Sequence, residues 1–241
     1  MKLLIGIDDT DNQESRGTGY CARQLANWLN ENSLAIPGGI TRHQLLVDSR
    51  IPYTSHNSSA CLAVETGSIL PVWNACCEFL LRASVPGSDV GLCLAQPEAI
   101  SETIMEFGRR AKREVLAAGE AEQMAVDFRI RLAGLTGTGG GIIGALAGVG
   151  LRQSGADGRF LWLPGLRELK GEYPVSQICA EAHIDRVCTI GGMDLAPETL
   201  VDVGEWVRPI LRDGQATLYV EQQNQGWYGL SKDRIKDISD T

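Results

Sequence analysis

Half of the fourteen residues from 137 to 150 are glycine: Gly137, Gly139, Gly140, Gly141, Gly144, Gly148 and Gly150, seven of the chain's 28. No other stretch narrows the fold as far. A helix is expected inside it, because Ile142, Ile143, Ala145, Leu146 and Val149 fit a packed stripe. Glycines placed there either let another backbone come close or leave bare N–H groups at the start of the helix, where phosphate oxygens bind. The segment is not a Walker A loop, since no Gly-Lys-Ser/Thr follows. Gly139-x-Gly141-x-x-Gly144 does satisfy the dinucleotide pattern. The next strand, however, ends in Leu163-Pro164-Gly165 and not in an acid for a ribose, which argues against NAD.

The second constraint is an acidic turn. Leu3-Leu4-Ile5-Gly6-Ile7 reads as a buried strand, and Asp8-Asp9-Thr10-Asp11 ends it. Three carboxylates within four residues repel one another unless positive charge sits between them. Mg²⁺ takes a few carboxylate oxygens, keeps waters and bridges to phosphates, so Asp8, Asp9 and Asp11 are its candidate ligands. The competing reading is a turn whose aspartates cap the next helix. A third patch, Ile51-Pro52-Tyr53-Thr54-Ser55-His56-Asn57-Ser58-Ser59, offers groups that grip a base or sugar or that cap a sheet.

Periodicity predicts helices from about 17, over 70–81, 97–118 and 197–211, and strands near 39–47, 59–65, 125–132, 160–163, 186–190 and 216–222. The expected fold class is therefore α/β with an α+β mixed sheet, in two parts, 1–170 and 171–241, the second a small α/β unit. The cationic run Arg109-Arg110-x-x-Arg113 is flanked by Glu106 and Glu114 at helical spacing and reads as a solvated face.

With 22 Lys+Arg against 30 Asp+Glu, the net charge of -8 opposes non-specific attraction to nucleic acid or anionic lipid. No apolar run approaches the roughly 18 residues of a membrane span. The short apolar segment after Lys2 is broken by Asp8, so no secretory leader and a cytoplasmic location are expected. Seven cysteines without a C-x-x-C pair indicate neither a disulfide framework nor a zinc ribbon.

Four motifs in order resemble the archaeal tRNA-isoleucine agmatinylcytidine synthetase (TiaS) family, in its ATP-using kinase-like domain. They are Gly6-Ile7-Asp8-Asp9-Thr10-Asp11, Ile51-Pro52-Tyr53 with Asn57 and the strand ending Val64-Glu65, Pro86-Gly87, and Gly141-Ile142-Ile143-Gly144-Ala145-Leu146-Ala147-Gly148-Val149-Gly150. The resemblance covers residues 1–150 well and the remainder loosely, where the family continues through a ferredoxin-like domain. It implies ATP and Mg²⁺ as cofactors, in a family that activates a tRNA cytidine as a phosphorylated species which agmatine displaces. It further implies Asp8, Asp9 and Asp11 as metal and phosphate-handling carboxylates, and the glycine loop as the opposite wall of the ATP site.

The chain departs from the family where a phosphorylated threonine is expected. Gly17-Thr18-Gly19-Tyr20 stands there, with tyrosine at the aligned place and Thr18 near enough to substitute. The absence of C-x-x-C pairs argues that the family's zinc ribbon and OB-fold are missing, so tRNA is not expected to bind this chain alone. The reading is an ATP- and Mg²⁺-dependent phosphoryl-transfer enzyme acting on a small-molecule acceptor, with an amine as one candidate. Asp8, Asp9, Asp11 and Thr18 are assigned to catalysis. Gly6, Thr10, Gly137, Gly139, Gly140, Gly141 and Gly144 are assigned to the nucleotide, and Tyr53 and Asn57 to the substrate. The alternatives are a non-catalytic nucleotide- or partner-binding module and, more remotely, a Rossmann-type oxidoreductase; self-association stays open.

Overall fold

The computed structural model describes residues 1–51, 57–224 and 226–239. The chain divides into two compact units, 1–154 and 155–241.

The first unit is built on β1 (Lys2–Asp8), in which Leu3, Ile5 and Ile7 are fully buried and Leu4 nearly so. Burial of both faces suits a central strand. It pairs antiparallel with β3 (Ser58–Glu65) on one side and β4 (Gly91–Ala95) on the other. The outer places go to β2 (Ile36–Gln44) beside β3 and β5 (Arg131–Gly134) beside β4, also antiparallel. The order is β5-β4-β1-β3-β2. β4 is wholly apolar and buried, so it lacks the alternation that marks a half-buried strand, and periodicity alone misses it.

Alternation along β1 sends its even-numbered residues to one face. Leu4, and Cys61 and Cys93 in register with Gly6, join a core with α3 (Glu102–Ala111) and α5 (Ile142–Ser154) through Ile104, Phe107, Leu146 and Val149. The odd-numbered residues face away from α5. There α1 (Thr18–Glu31) packs on β2 and β3 and against α2 (Ile69–Ala83).

The sequence-based helix over 97–118 is shorter than expected. A 3-10 turn at Pro97–Ala99 precedes α3, and a connector over 112–117 leads into α4 (Ala118–Asp127). The strand expected over 125–132 is mostly the end of α4: Ala121 and Ala125, four apart, are buried, and Arg129 turns the chain at φ 55 into β5. Arg109, Arg110 and Arg113 pair with Glu106 and Glu114 on an exposed face of α3.

The second unit holds β6 (Arg159–Trp162), β7 (Glu172–Pro174), α6 (Val175–Ala182), β8 (Arg186–Thr189), β9 (Leu200–Asp202), β10 (Ile210–Arg212), β11 (Gln215–Gln223), β12 (Gly226–Gly229) and α7 (Lys232–Ser239). Its strands run β6-β10-β11-β12-β9-β7, with β8 lying parallel to β11. Phe160, Leu163, Leu166 and Leu169 pack into its core with Val187 and Leu218. Residues 155–170 therefore belong here, and not before a boundary at 170/171. The helix expected over 197–211 is absent. Val201 and Val203 are buried with the period of a strand, Leu200 is exposed, and Gly204 at φ 65 followed by Pro209 separates β9 from β10. Among the described residues no helix is long and apolar enough to cross a membrane.

Candidate functional site

β1 delivers Asp8 to the face covered by α5. The fit is close because glycine stands on both sides of it. A Cβ on Gly6 would lie 2.0 Å from the Ala145 carbonyl oxygen, and one on Gly91 of β4 would lie 2.0 Å from the Gly141 carbonyl. The start of α5 therefore rests on bare strand backbone. Asp8 then lies directly under Gly144, where a methyl group would meet its carboxylate at 1.7 Å. Gly148 and Gly150 serve packing in the same way, against Ser59 of β3 and Ile104 of α3.

Beyond Asp8 the chain turns through Asp9 at φ 50, a left-handed conformation that Asp tolerates. Asp11 reaches forward to α1, whose Ncap, Gly17, has no side chain to offer. Its Oδ1 accepts the Thr18 N–H at 3.0 Å and the Thr18 hydroxyl at 2.8 Å, so one carboxylate both caps the helix and polarises a hydroxyl. Thr10 is buried, and its hydroxyl donates to Thr18 Oγ1 at 3.3 Å.

Between the acidic turn and the start of α5 lies a cavity of about 260 Å³. Asp8, Asp9, Asp11 and Thr18 line it from one side and Gly140, Gly141 and Gly144 from the other; Leu45, Ile51, Ala111, Val115, Leu116 and Ile143 supply an apolar stretch. Asn57 also lines it, but its side-chain amide donates to the Leu46 carbonyl at 2.7 Å and its own carbonyl accepts the Leu45 N–H at 2.9 Å, so it also braces the β2–β3 connection. Tyr53 lies outside the described residues.

Several assignments change. Gly6 lies inside the sheet beneath Ala145 and does not line the cavity; its lack of a side chain serves packing. Thr10 is turned into the protein by Thr18. Gly137 and Gly139 do not line the cavity either; both take positive φ to shape the loop. Nor is the loop a set of bare amides, since the N–H groups of Gly139, Gly141, Ile142 and Ile143 all donate within the protein. The three aspartates do not converge on one point. Among the described residues no group of three or more His, Cys, Asp or Glu is disposed to hold a metal.

Asp89 is the principal residue that the sequence did not disclose. It lines the cavity, and its Oδ1 accepts the Gly139 N–H at 2.6 Å while its Oδ2 accepts the Thr138 hydroxyl at 2.5 Å. The available signal was its place between the Pro86-Gly87 turn and the apolar run of β4. Glu114 and Arg50 also line the cavity, Arg50 paired to Asp48 at 2.8 Å.

The described lining thus carries five carboxylates, Asp8, Asp9, Asp11, Asp89 and Glu114, against the guanidinium of Arg50. Burial pushes the Asp8 carboxyl up from 3.8 to about 7; the Asp9 N–H opposes the rise, and the charges of Asp9 and Asp11 add to it. Burial, with the Asp89 and Asp11 charges, pushes Asp9 up to about 6 against a hydrogen bond from the Asp89 N–H. Both carboxyls are thus raised first by burial and then by their neighbours' negative charge. The donor set is all oxygen and hard, and suits Mg²⁺ through one or two carboxylates with the remaining positions left to water or phosphate.

No protein-family model matches the chain. It is 30% identical over 169 residues to the isoleucine-tRNA 2-agmatinylcytidine synthetase TiaS of Methanosarcina mazei, an overlap of 66% of this chain and 38% of that protein. It is 25% identical over 157 residues to an uncharacterised protein of Methanocaldococcus jannaschii, covering 63% of this chain and half of that one. Among solved structures, a tRNA fluorescent labeling enzyme superposes with a TM-score of 0.55 at 26% identity, and a complex of TiaS with its isoleucine tRNA and ATP with 0.55 at 25%; each overlap takes in 62% of this chain and 36% of the other. The chain spans half or less of the length of the curated relatives it matches.

Proposed function

From the homology of about two thirds of this chain to the TiaS family, we propose that the first unit binds ATP with Mg²⁺ in the cavity under α5 and transfers a phosphoryl group to a small-molecule acceptor. The observation that carries this is the shared cavity: the strand-end carboxylates and the first glycines of α5 face one 260 Å³ space. In the family, one solved structure is of a complex with both tRNA and ATP. Here the net charge of -8 supports a small acceptor over a polyanion, and an amine suits a cavity lined by five carboxylates.

In this reading Asp8 and Asp9 hold the cation together with phosphate oxygens. Mg²⁺, when bound, neutralises the triphosphate and the charge that develops on transfer. Gly140, Gly141 and Gly144 admit the phosphates close to the positive end of the α5 dipole. Asp11 accepts the hydrogen bond of the Thr18 hydroxyl and Thr18 lines the cavity, so Thr18 is the candidate phosphoacceptor in place of the family's threonine. Leu45, Ile51, Val115, Leu116 and Asn57 form the wall against which a base or acceptor packs. The cytoplasm, where ATP is abundant and cysteines stay reduced, suits a chain whose seven cysteines are all free.

The test is product analysis after incubation with ATP and Mg²⁺ over a panel of amines and nucleosides. Formation of ADP or AMP that depends on acceptor supports the proposal, and AMP points to a synthetase-like route. A second reading, nucleotide binding without turnover, is favoured by the internal use of the loop amides; saturable ATP binding with no product under any acceptor would establish it.

A further inference from the structure

Asp89 belongs to no motif, yet it touches both halves of the site. Its side chain takes one hydrogen bond from the Gly139 N–H and one from the Thr138 hydroxyl, so the glycine loop engages both carboxylate oxygens. Its main-chain carbonyl accepts the Gly141 N–H at 3.1 Å, and its main-chain N–H donates to the Asp9 carboxylate. The residues beside it extend the join. The Thr136 hydroxyl donates to the Ser88 carbonyl at 2.9 Å and accepts the Val90 N–H at 2.9 Å, and the Leu135 N–H donates to the Val90 carbonyl at 2.7 Å.

The glycines make sense around that carboxylate. Gly137 and Gly139 sit at φ 62 and 83, and a Cβ on Gly137 would come within 2.9 Å of Asp89 Oδ1, one on Gly140 within 3.1 Å of Oδ2. The loop is wrapped on one anion. Gly-rich backbone loses more conformational freedom on ordering than any other, and charge-assisted hydrogen bonds are the strong kind that offset such a loss.

We propose that Asp89 is a positioning residue, a clasp that fixes the glycine loop to the acidic turn and thereby sets the width of the phosphate end of the cavity. Its functional half rests on the nucleotide reading given above; its structural half does not. Without the clasp, residues 137–141 sample open conformations and α5 loses its fixed start above Asp8. With it, the space between Asp8 and Gly140 is preorganised before any ligand arrives, which is where affinity is gained.

Amide hydrogen exchange on the full chain without ligand, paired with the affinity for the Mg²⁺ complex of a nonhydrolysable ATP analogue, tests the clasp in Asp89→Ala, Asp89→Asn, Thr138→Val and the Asp89→Ala/Thr138→Val double variant. Asp89→Ala is expected to speed exchange of the Gly139 and Gly141 amides by about 10-fold or more, with α1 and the second unit unchanged, and to weaken the analogue by a similar factor. Asp89→Asn keeps an acceptor for the Gly139 N–H but loses the charge, and is expected to fall between the parent chain and Asp89→Ala in both readouts. The double variant is expected to be no worse than Asp89→Ala, because the two side chains act as one unit. Unchanged exchange at Gly139 and Gly141 in Asp89→Ala overturns the proposal. So does an Asp89→Asn variant with normal exchange that binds the analogue as poorly as Asp89→Ala, which would make the charge itself a ligand. Should Asp89→Ala not fold, Thr138→Val carries the exchange comparison with about threefold expected, and no change there counts against the clasp. If the parent chain does not bind the analogue, the nucleotide reading fails, while exchange still decides the clasp.

Discussion

Replacing Asp8 by Asn should make the protein more stable and less functional, in a way that depends on pH. The Asp8 carboxyl ionises near 7 in the fold against 3.8 when solvated. At 1.36 kcal/mol per pKa unit this amounts to about 4 kcal/mol of unfavourable ionisation, and relaxation around a half-buried group brings it to about 2 kcal/mol. A carboxyl whose folded pKa is raised is favoured in its protonated form. The cost is therefore absent below about pH 4, grows between about 4 and 7, and is complete above 7. Asn is nearly the same size, carries no charge and still accepts the Asp9 N–H. At pH 8 the ligand-free Asp8→Asn variant should be about 2 kcal/mol more stable, or roughly 4–8 °C higher in Tm; at pH 4.5, where about a quarter of the cost has developed, the gap should shrink to about 0.5 kcal/mol, or roughly 1–2 °C. Thermal melts monitored by circular dichroism at the two pH values measure this directly. A variant destabilised to the same extent at both would refute the reasoning, because it would mean that Asp8 is an ion already paired within the fold.

Other substitutions separate the packing glycines from those of the cavity. Gly144→Ala drives a methyl group into the Asp8 carboxylate; this side chain can swing away, so the variant should fold but bind no ATP analogue in a calorimetric titration. Gly91→Ala meets the Gly141 backbone at 2.0 Å with no such escape, and should cost about 3 kcal/mol in urea unfolding. Gly119→Ala in α4 meets nothing within 4 Å and should be neutral or stabilising by up to about 1 kcal/mol, which makes it the control. Asp11→Ala removes the acceptor at the start of α1 and should lower stability by about 1 kcal/mol, visible as faster exchange of the Thr18 amide; Asp11→Asn should recover most of it.

The amino-acid order disclosed the fold class and the elements that bound the cavity better than the parts played by single residues. A run of apolar residues ending in Asp8-Asp9-Thr10-Asp11 can hardly be anything but a buried strand opening into a polar turn, and β1 is that. The glycine segment was legible as a loop and helix because glycine at that density suits few arrangements besides tight turns and close backbone contact. What it did not disclose was the division of labour, with Gly6, Gly148 and Gly150 serving contact and Gly137 and Gly139 turning the loop. That division depends on which backbone lies opposite, which no local pattern encodes. Asp89 stayed hidden for the same reason: its partners, Thr138 and Gly139, lie 49 and 50 residues away. The helix expected over 197–211 rests on valines that satisfy two periods at once, and Gly204 and Pro209 are the breakers that decide against it. Asp11 caps α1 through a local hydrogen bond that became available once Gly17 left the start of the helix without a side chain of its own, a role the acidic pattern offered beside metal binding.

The claim that the acidic turn and the start of α5 form one cation-bridged nucleotide site is tested most directly by paramagnetic broadening. With Mn²⁺ in place of Mg²⁺ and the nonhydrolysable ATP analogue present, amide resonances of Asp9, Asp11, Gly140, Gly141 and Gly144 should broaden together. Broadening that needs no nucleotide and spares the α5 glycines, or none in this cavity at all, would contradict the account.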